Sequence, residues 1–166
     1  MKGEQQMKKF LCMMLSVLLF MGSFRLPVSA EEVTYPKVTH ELTSTEDFAR
    51  DDWSVDQRGA YLLNGRSSIT RTDNTHISIS GNTKATQTCD KIRLTLCVEQ
   101  SESYYTGYST YKTYSYSADN VYQLTKEISN IKVDRGYYYR VFAVHSVTEG
   151  GVTETTDSVT NPIDYR

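Results

Sequence analysis

His145 is the side chain in this sequence best suited to chemistry. It stands in the run "GYYYRVFAVHSV", residues 136–147. With Cys97 or Cys89 it could form a thiol–imidazole pair, the ring taking the thiol proton so that the thiolate attacks an electrophilic carbon. Neither cysteine has a glycine elbow or a local nucleophile signature around it. The ordinary reading, a histidine near a strand end that bonds a neighbouring loop, is the stronger one. His40 and His76 are scattered, and no two histidines stand at i and i+4, so no zinc site is expected. "DDWSVD", 51–56, carries three carboxylates but lacks the central glycine of a calcium loop. No glycine loop able to cradle a phosphate occurs. Asp73, Asp90, Asp119, Asp134 and Glu149 fall in expected turns, where carboxylates usually accept from backbone donors. None forms the spaced pair that glycoside hydrolysis needs. The expectation is a non-catalytic chain with no cofactor and no metal.

Tyrosine is the second chemical signal. Residues 104–122 hold seven: Tyr104, Tyr105, Tyr108, Tyr111, Tyr114, Tyr116 and Tyr122, spaced mainly by Ser, Thr and Gly. Strand parity puts Tyr104, Tyr108, Tyr114 and Tyr116 on one face with Lys112, and Tyr111 on the other. Tyrosine supplies contact area with few rotors to freeze and a polar tip, and Ser and Thr add adaptable hydrogen bonds. Tyr105, Tyr108, Tyr111 and Tyr114 are therefore the candidate ligand-contact residues. The competing account is that tyrosine is a good strand former whose cross-strand pairs stabilise a sheet.

The elements that would position these residues read as strands. "AYLLNGRSSITR" and "HISIS" flank the turn "TDNT". Ile92, Leu94 and Leu96 alternate with Lys91, Arg93 and Thr95, a period of two. A continuous strand would hold Cys89 and Cys97 roughly 26 Å apart, against the roughly 7 Å between alpha carbons that a disulfide tolerates. The two are then free thiols with a structural role, or one pairs between chains. After "VYQLTKEISNI" and "EGG" comes a Thr-rich last strand, Val152 to Thr160. In the strand of 137–147, Tyr137, Tyr139, Val141, Ala143, His145 and Val147 share the more apolar face. Helical periodicity is nearly absent, and short strands at regular spacing argue for an all-β sandwich.

The first thirty residues read as a secretory signal peptide. Lys8 and Lys9 precede an apolar run from Phe10 to Met21, and Val28-Ser29-Ala30 offers a cleavage site after Ala30. That run is shorter than the roughly 20 residues of a membrane span, so no membrane association is expected after cleavage. Without Lys2, Glu4, Lys8, Lys9 and Arg25, 14 bases and 19 acids remain. No basic stripe for nucleic acid is visible. Residues 31–57 are acidic and aperiodic and read as a flexible arm, with Trp53, the chain's only tryptophan, docking from it. The expected organisation is a signal peptide over 1–30, the arm over 31–57, a sandwich domain over 58–162 and a tail over 163–166.

Two resemblances follow from these motifs. Ile131, the turn "DRG" and Tyr137 resemble the entry to the sixth strand of fibronectin type III domains, and "VFAV" at 141–144 resembles its continuation. The likeness covers 75–160 loosely. It departs at "KIRLTLC", which lacks that family's tryptophan, and at Asp134-Arg135, where proline is usual. It implies an Ig-like or fibronectin-like antiparallel sandwich in which Tyr137 is a structural residue, its hydroxyl bonding back to the preceding corner. "RGAYLLNGRSSI", "ISISGNTKA", "CDKIRLTL" and "GYYYRVFAVHSVTEGGVTET" resemble a family of small secreted, uncharacterised proteins of Gram-positive, largely clostridial, bacteria over 58–156. That likeness implies location and fold and gives no activity. The expected role is a secreted binding module for a glycan, a cell-wall polymer or an extracellular protein. The alternatives are an extracellular enzyme using the Cys–His pair and a secreted toxin or bacteriocin-like effector.

Overall fold

A computed structural model describes residues 38–55 and 61–166. All the regular structure among them is strand, and every strand pairing is antiparallel. The strands are β1 (Val38–Ser44), β2 (Phe48–Val55), β3 (Leu62–Arg71), β4 (His76–Ser101), β5 (Ser109–Lys132), β6 (Tyr138–Glu149), β7 (Val152–Val159) and β8 (Ile163–Asp164). Hydrogen bonding runs in the order β1-β2-β3-β4-β6-β7, with β5 also on β4 and β8 also on β6.

One long hairpin organises the rest. β4 pairs β3 through its first half, β6 through its second, and β5 along almost its whole length. Between Lys84 and Cys89 the β4–β5 register shifts, and Asn120, next to the Cys89 partner Val121, takes a φ of 55°. Extra residues at a bulge bend a strand and raise its twist. Here the bend folds the hairpin over, so that Gly81 in the first half of β4 lies against Leu94 and Leu96 in the second. The ends of β5 meet as well, since the Tyr111 hydroxyl donates to the Lys132 carbonyl at 3.1 Å. The sheet thus closes into two layers, the all-β sandwich-like form that strand spacing predicts. The first layer holds β1, β2, β3 and the outer ends of the hairpin. The second holds its inner halves with β6 and β7.

The core lies between the layers. Ile77 and Ile79 face it from one half of β4, and Ile92, Leu94, Leu96 and Val98 from the other. Tyr139, Val141, Ala143, His145 and Val147 of β6 are all fully buried, as the period of two requires. Gly65 permits the closest approach. A Cβ there would lie 2.7 Å from the His145 ring and would clash with the Trp53 indole.

Two boundaries differ from the sequence expectation. Residues 38–55 of the expected acidic arm form the hairpin β1–β2, which extends the first layer. Ala49 and Trp53 enter the core, and Asp51 is buried with them. The Asp51 carboxylate accepts from the Val159 amide at 2.8 Å and meets His40 Nδ1 at 3.1 Å, joining β2 to β7 where no backbone pairing does. The high acid count hid this strand, because one of the acids is a structural acceptor. The expected tail over 163–166 is also part of the fold. β8 pairs β6, and Ile163 and Tyr165 are buried. The expected signal peptide, with its cleavage site, lies outside the described residues.

Candidate functional site: a tyrosine-lined pole

Tyr104, Tyr105, Tyr108, Tyr111, Tyr137, Tyr138, Tyr139 and Tyr165 collect at the end of the sandwich that carries the β4–β5 loop, the start of β6 and the C-terminus. Tyr139 is the anchor. Its hydroxyl accepts from the Asp134 amide and donates to the Asp134 carbonyl, both at 3.0 Å. A buried hydroxyl needs such partners, and burial pushes its pKa up to about 12. The corner role expected of Tyr137 belongs to Tyr139, two residues on. Tyr137 is half-buried and packs edge-on against the Tyr139 ring at 6.4 Å. The equal parity of the two residues made them indistinguishable in sequence. Tyr165 also packs edge-on against Tyr139 at 5.7 Å, with the Arg71 guanidinium 4.5 Å above its ring.

Tyr111 and Tyr114 turn inward and pack against the core. Parity assigned Tyr111 to the opposite face. A register shift opposite Val98 and Glu99 makes it an extra residue in its strand, and its ring meets Tyr139 edge-on at 5.6 Å. Tyr116 is likewise half-buried, with Lys126 Nζ 5.2 Å above its ring. Within β5, then, these tyrosines serve as sheet packing.

The loop over 102–108 behaves differently. Tyr105 is 85% exposed and Tyr104 41% exposed. The backbone beneath them is held at several points. Ser101 Oγ donates to the Thr106 carbonyl at 2.5 Å and accepts from the Ser103 amide at 3.0 Å. Gly107, with a φ of 77°, supplies the left-handed residue that closes the turn. The Tyr108 hydroxyl donates to the Tyr104 carbonyl at 2.9 Å. Arg140, paired with Glu99 at 2.7 Å, lies 3.9 Å above the Tyr108 ring. Burial raises the Tyr108 pKa, with Arg140 acting against it. Tyr104 sits edge-on between Tyr105 at 4.9 Å and Tyr138 at 5.4 Å, and Arg166 covers the Tyr138 ring at 4.3 Å. The result is a rigid base carrying exposed rings. Of the four sequence candidates, Tyr105 and Tyr108 belong to this loop and Tyr111 and Tyr114 do not. Tyr104, exposed beside Tyr105, was not among the sequence candidates, although its place in the loop was legible; Tyr138 is buried beneath it.

His145 is fully buried. Nε2 lies 2.9 Å from Ser158 Oγ and Nδ1 2.8 Å from Thr83 Oγ1. Ser158 donates onward to Ser67 at 2.8 Å. That direction places the ring proton on Nε2 and leaves Nδ1 to accept from Thr83. Burial lowers its pKa to about 4, so the ring is neutral at pH 7. Its ring nitrogens face hydroxyls rather than either thiol. Cys89 and Cys97 are both free. Burial, then Glu149 and Asp90, raises the Cys89 pKa, whereas an activated thiol has a lowered one. No cluster of three or more metal-ligating side chains occurs among the described residues.

The fold and the pole define a two-layer antiparallel β protein with an aromatic, loop-built surface at one end. The model of DUF6147, a family of unknown function, matches residues 28–163. The chain belongs to that family. No curated protein matches it.

Proposed function

We propose that this chain is a secreted, non-catalytic binding module whose ligand seats on the tyrosine loop at 102–108. One observation carries the reading: Tyr105 is 85% exposed on a loop fixed by hydrogen bonds and ring contacts. Exposing a large ring on an ordered support costs solvation without helping the fold, and pre-organised aromatic anchors are how binding surfaces limit the entropy lost on association. Secretion rests on Lys8 and Lys9, the apolar run that follows and the small residues ending at Ala30. The Tyr139–Asp134 corner supports an Ig-like or fibronectin-like reading of the sandwich. Glycans and cell-wall polymers are the favoured ligands, because tyrosine rings offer sugar rings an apolar face and a polar edge.

The test is a binding screen of residues 31–166 on a glycan array and on purified Gram-positive cell wall. Retention weakened tenfold or more by Tyr105→Ala, with an unchanged melting temperature, is the expected result. Retention unaffected by Tyr104→Ala, Tyr105→Ala and Tyr108→Ala would remove the loop from the account.

A further inference from the structure

The outer surface of the first layer carries a cleft of about 390 Å³. Its walls come from four adjacent strands in strict register. Asp52 of β2 stands opposite Arg66 of β3, Arg66 opposite Asn82 of β4, and Asn82 opposite Thr125 of β5. In the next row Asn64 stands opposite Lys84, and Lys84 opposite Gln123. All of these side chains line the cleft, and no apolar one does.

Two features set this patch apart from an ordinary solvated sheet. Asp and Asn are among the poorest strand formers, yet Asp52, Asn64 and Asn82 stand on three consecutive strands and line the same cleft. Local choices that oppose the fold concentrate at functional sites. The β3–β4 register also shifts between Leu62 and Asn64, so an irregularity of the kind that re-aims side chains borders the cleft.

Much of the hydrogen-bonding capacity there is unspent. The Asn82 amide donates to Thr125 Oγ1 at 2.5 Å and Gln123 Nε2 to the same oxygen at 3.1 Å, and neither side-chain carbonyl has a partner among the described residues. Asp52 Oδ2 takes Arg66 at 2.8 Å and lies 3.5 Å from Arg50 Nε, and Oδ1 has no partner among the described residues. Neither the Asn64 amide nor the Lys84 ammonium has a side-chain partner among the described residues. We infer that this cleft is a saccharide subsite, in which the amides of Asn64, Asn82 and Gln123, with Lys84, bond the hydroxyls of a glycan. An amide offers a donor and an acceptor side by side, which matches two neighbouring sugar hydroxyls. The lining offers no apolar pocket for a hydrophobic anchor residue, which disfavours the peptide modes that depend on one. The inference rests on the reading of the chain as a binding module, but not on the tyrosine loop.

The test uses ¹⁵N-labelled residues 31–166 titrated with the N-acetylglucosamine hexamer and with cellohexaose. Saturable shifts are expected at the amides of residues 64, 66, 82, 84 and 123, with Asn82→Ala and Asn64→Ala each weakening binding about fivefold to twentyfold, roughly 1–2 kcal/mol. Shifts in the cleft that persist in Tyr105→Ala would uphold the inference as a site independent of the loop. Shifts confined to 102–108 would overturn the inference and leave the loop standing. The inference also falls if neither sugar shifts any resonance, or if only an unrelated extended peptide does.

Discussion

At the scale of single residues, hydroxyl bonding separates tyrosines that look alike in sequence. Tyr139→Phe removes the partner of both Asp134 backbone groups and should cost about 1–3 kcal/mol, the usual range for a buried group left unsatisfied. Tyr137→Phe loses no hydrogen bond known among the described residues and should stay within about 0.5 kcal/mol of the parent in urea unfolding. A larger loss at 137 than at 139 would move the corner back. His145 gives a pH signature. Its pKa is about 4 in the folded chain, against roughly 6.5 in an unfolded one. Between those values the unfolded state binds more protons, so stability falls as pH falls from about 6.5 to about 4, by roughly 3 kcal/mol, and is flat in this term below that. His145→Gln should flatten that part of the stability–pH curve measured by urea midpoints.

At the scale of elements, the closeness of the layers depends on Gly65. Its missing side chain is the space that the Trp53 and His145 rings occupy. Gly65→Ala should cost about 1–3 kcal/mol, the range for overpacking a core, read as a lower urea midpoint. Gly81→Ala should cost less, because the atoms it meets are the ends of flexible leucines at 94 and 96. Much of this architecture was legible. The alternations in 76–80, 92–96 and 137–147 give β4 and β6 their inner faces, and Gly150–Gly151, both at positive φ, mark the β6–β7 turn. What alternation concealed was continuity. Ile77 and Ile79 are buried at odd positions, while Ile92, Leu94 and Leu96 are buried at even ones. Those phases read as two strands, whereas a bulge and bend make them one. The shift that turned Tyr111 inward was hidden for the same reason. A period of two carries no sign of an inserted residue until the partner strand is known. The cleft was illegible because its members are far apart in sequence and only register brings them together.

At the scale of the whole molecule, the sandwich needs both ends of the described chain. Starting the chain at Gly59 would delete β1 and β2, and with them the buried Ala49 and Trp53 and the Asp51 bond to Val159. A chain of 59–166 should lose cooperative thermal unfolding, whereas 31–166 should retain it. Retained cooperativity in the shorter chain would return the hairpin to the status of an arm. The aromatic pole is likewise a product of the whole fold, since it joins the β4–β5 loop, the start of β6 and Arg166. Tyrosines in the loop are proposed to contact ligand, while Tyr111, Tyr114 and Tyr116 of β5 hold the sheet. The most direct test compares Tyr105→Ala with Tyr114→Ala, measuring affinity for purified cell wall and urea stability on the same samples. Tyr105→Ala should lose affinity at least tenfold with stability unchanged. Tyr114→Ala should lose about 1–3 kcal/mol of stability while the folded fraction binds as before. The reverse pattern, with affinity lost at Tyr114 alone and Tyr105 silent, would contradict this division of roles.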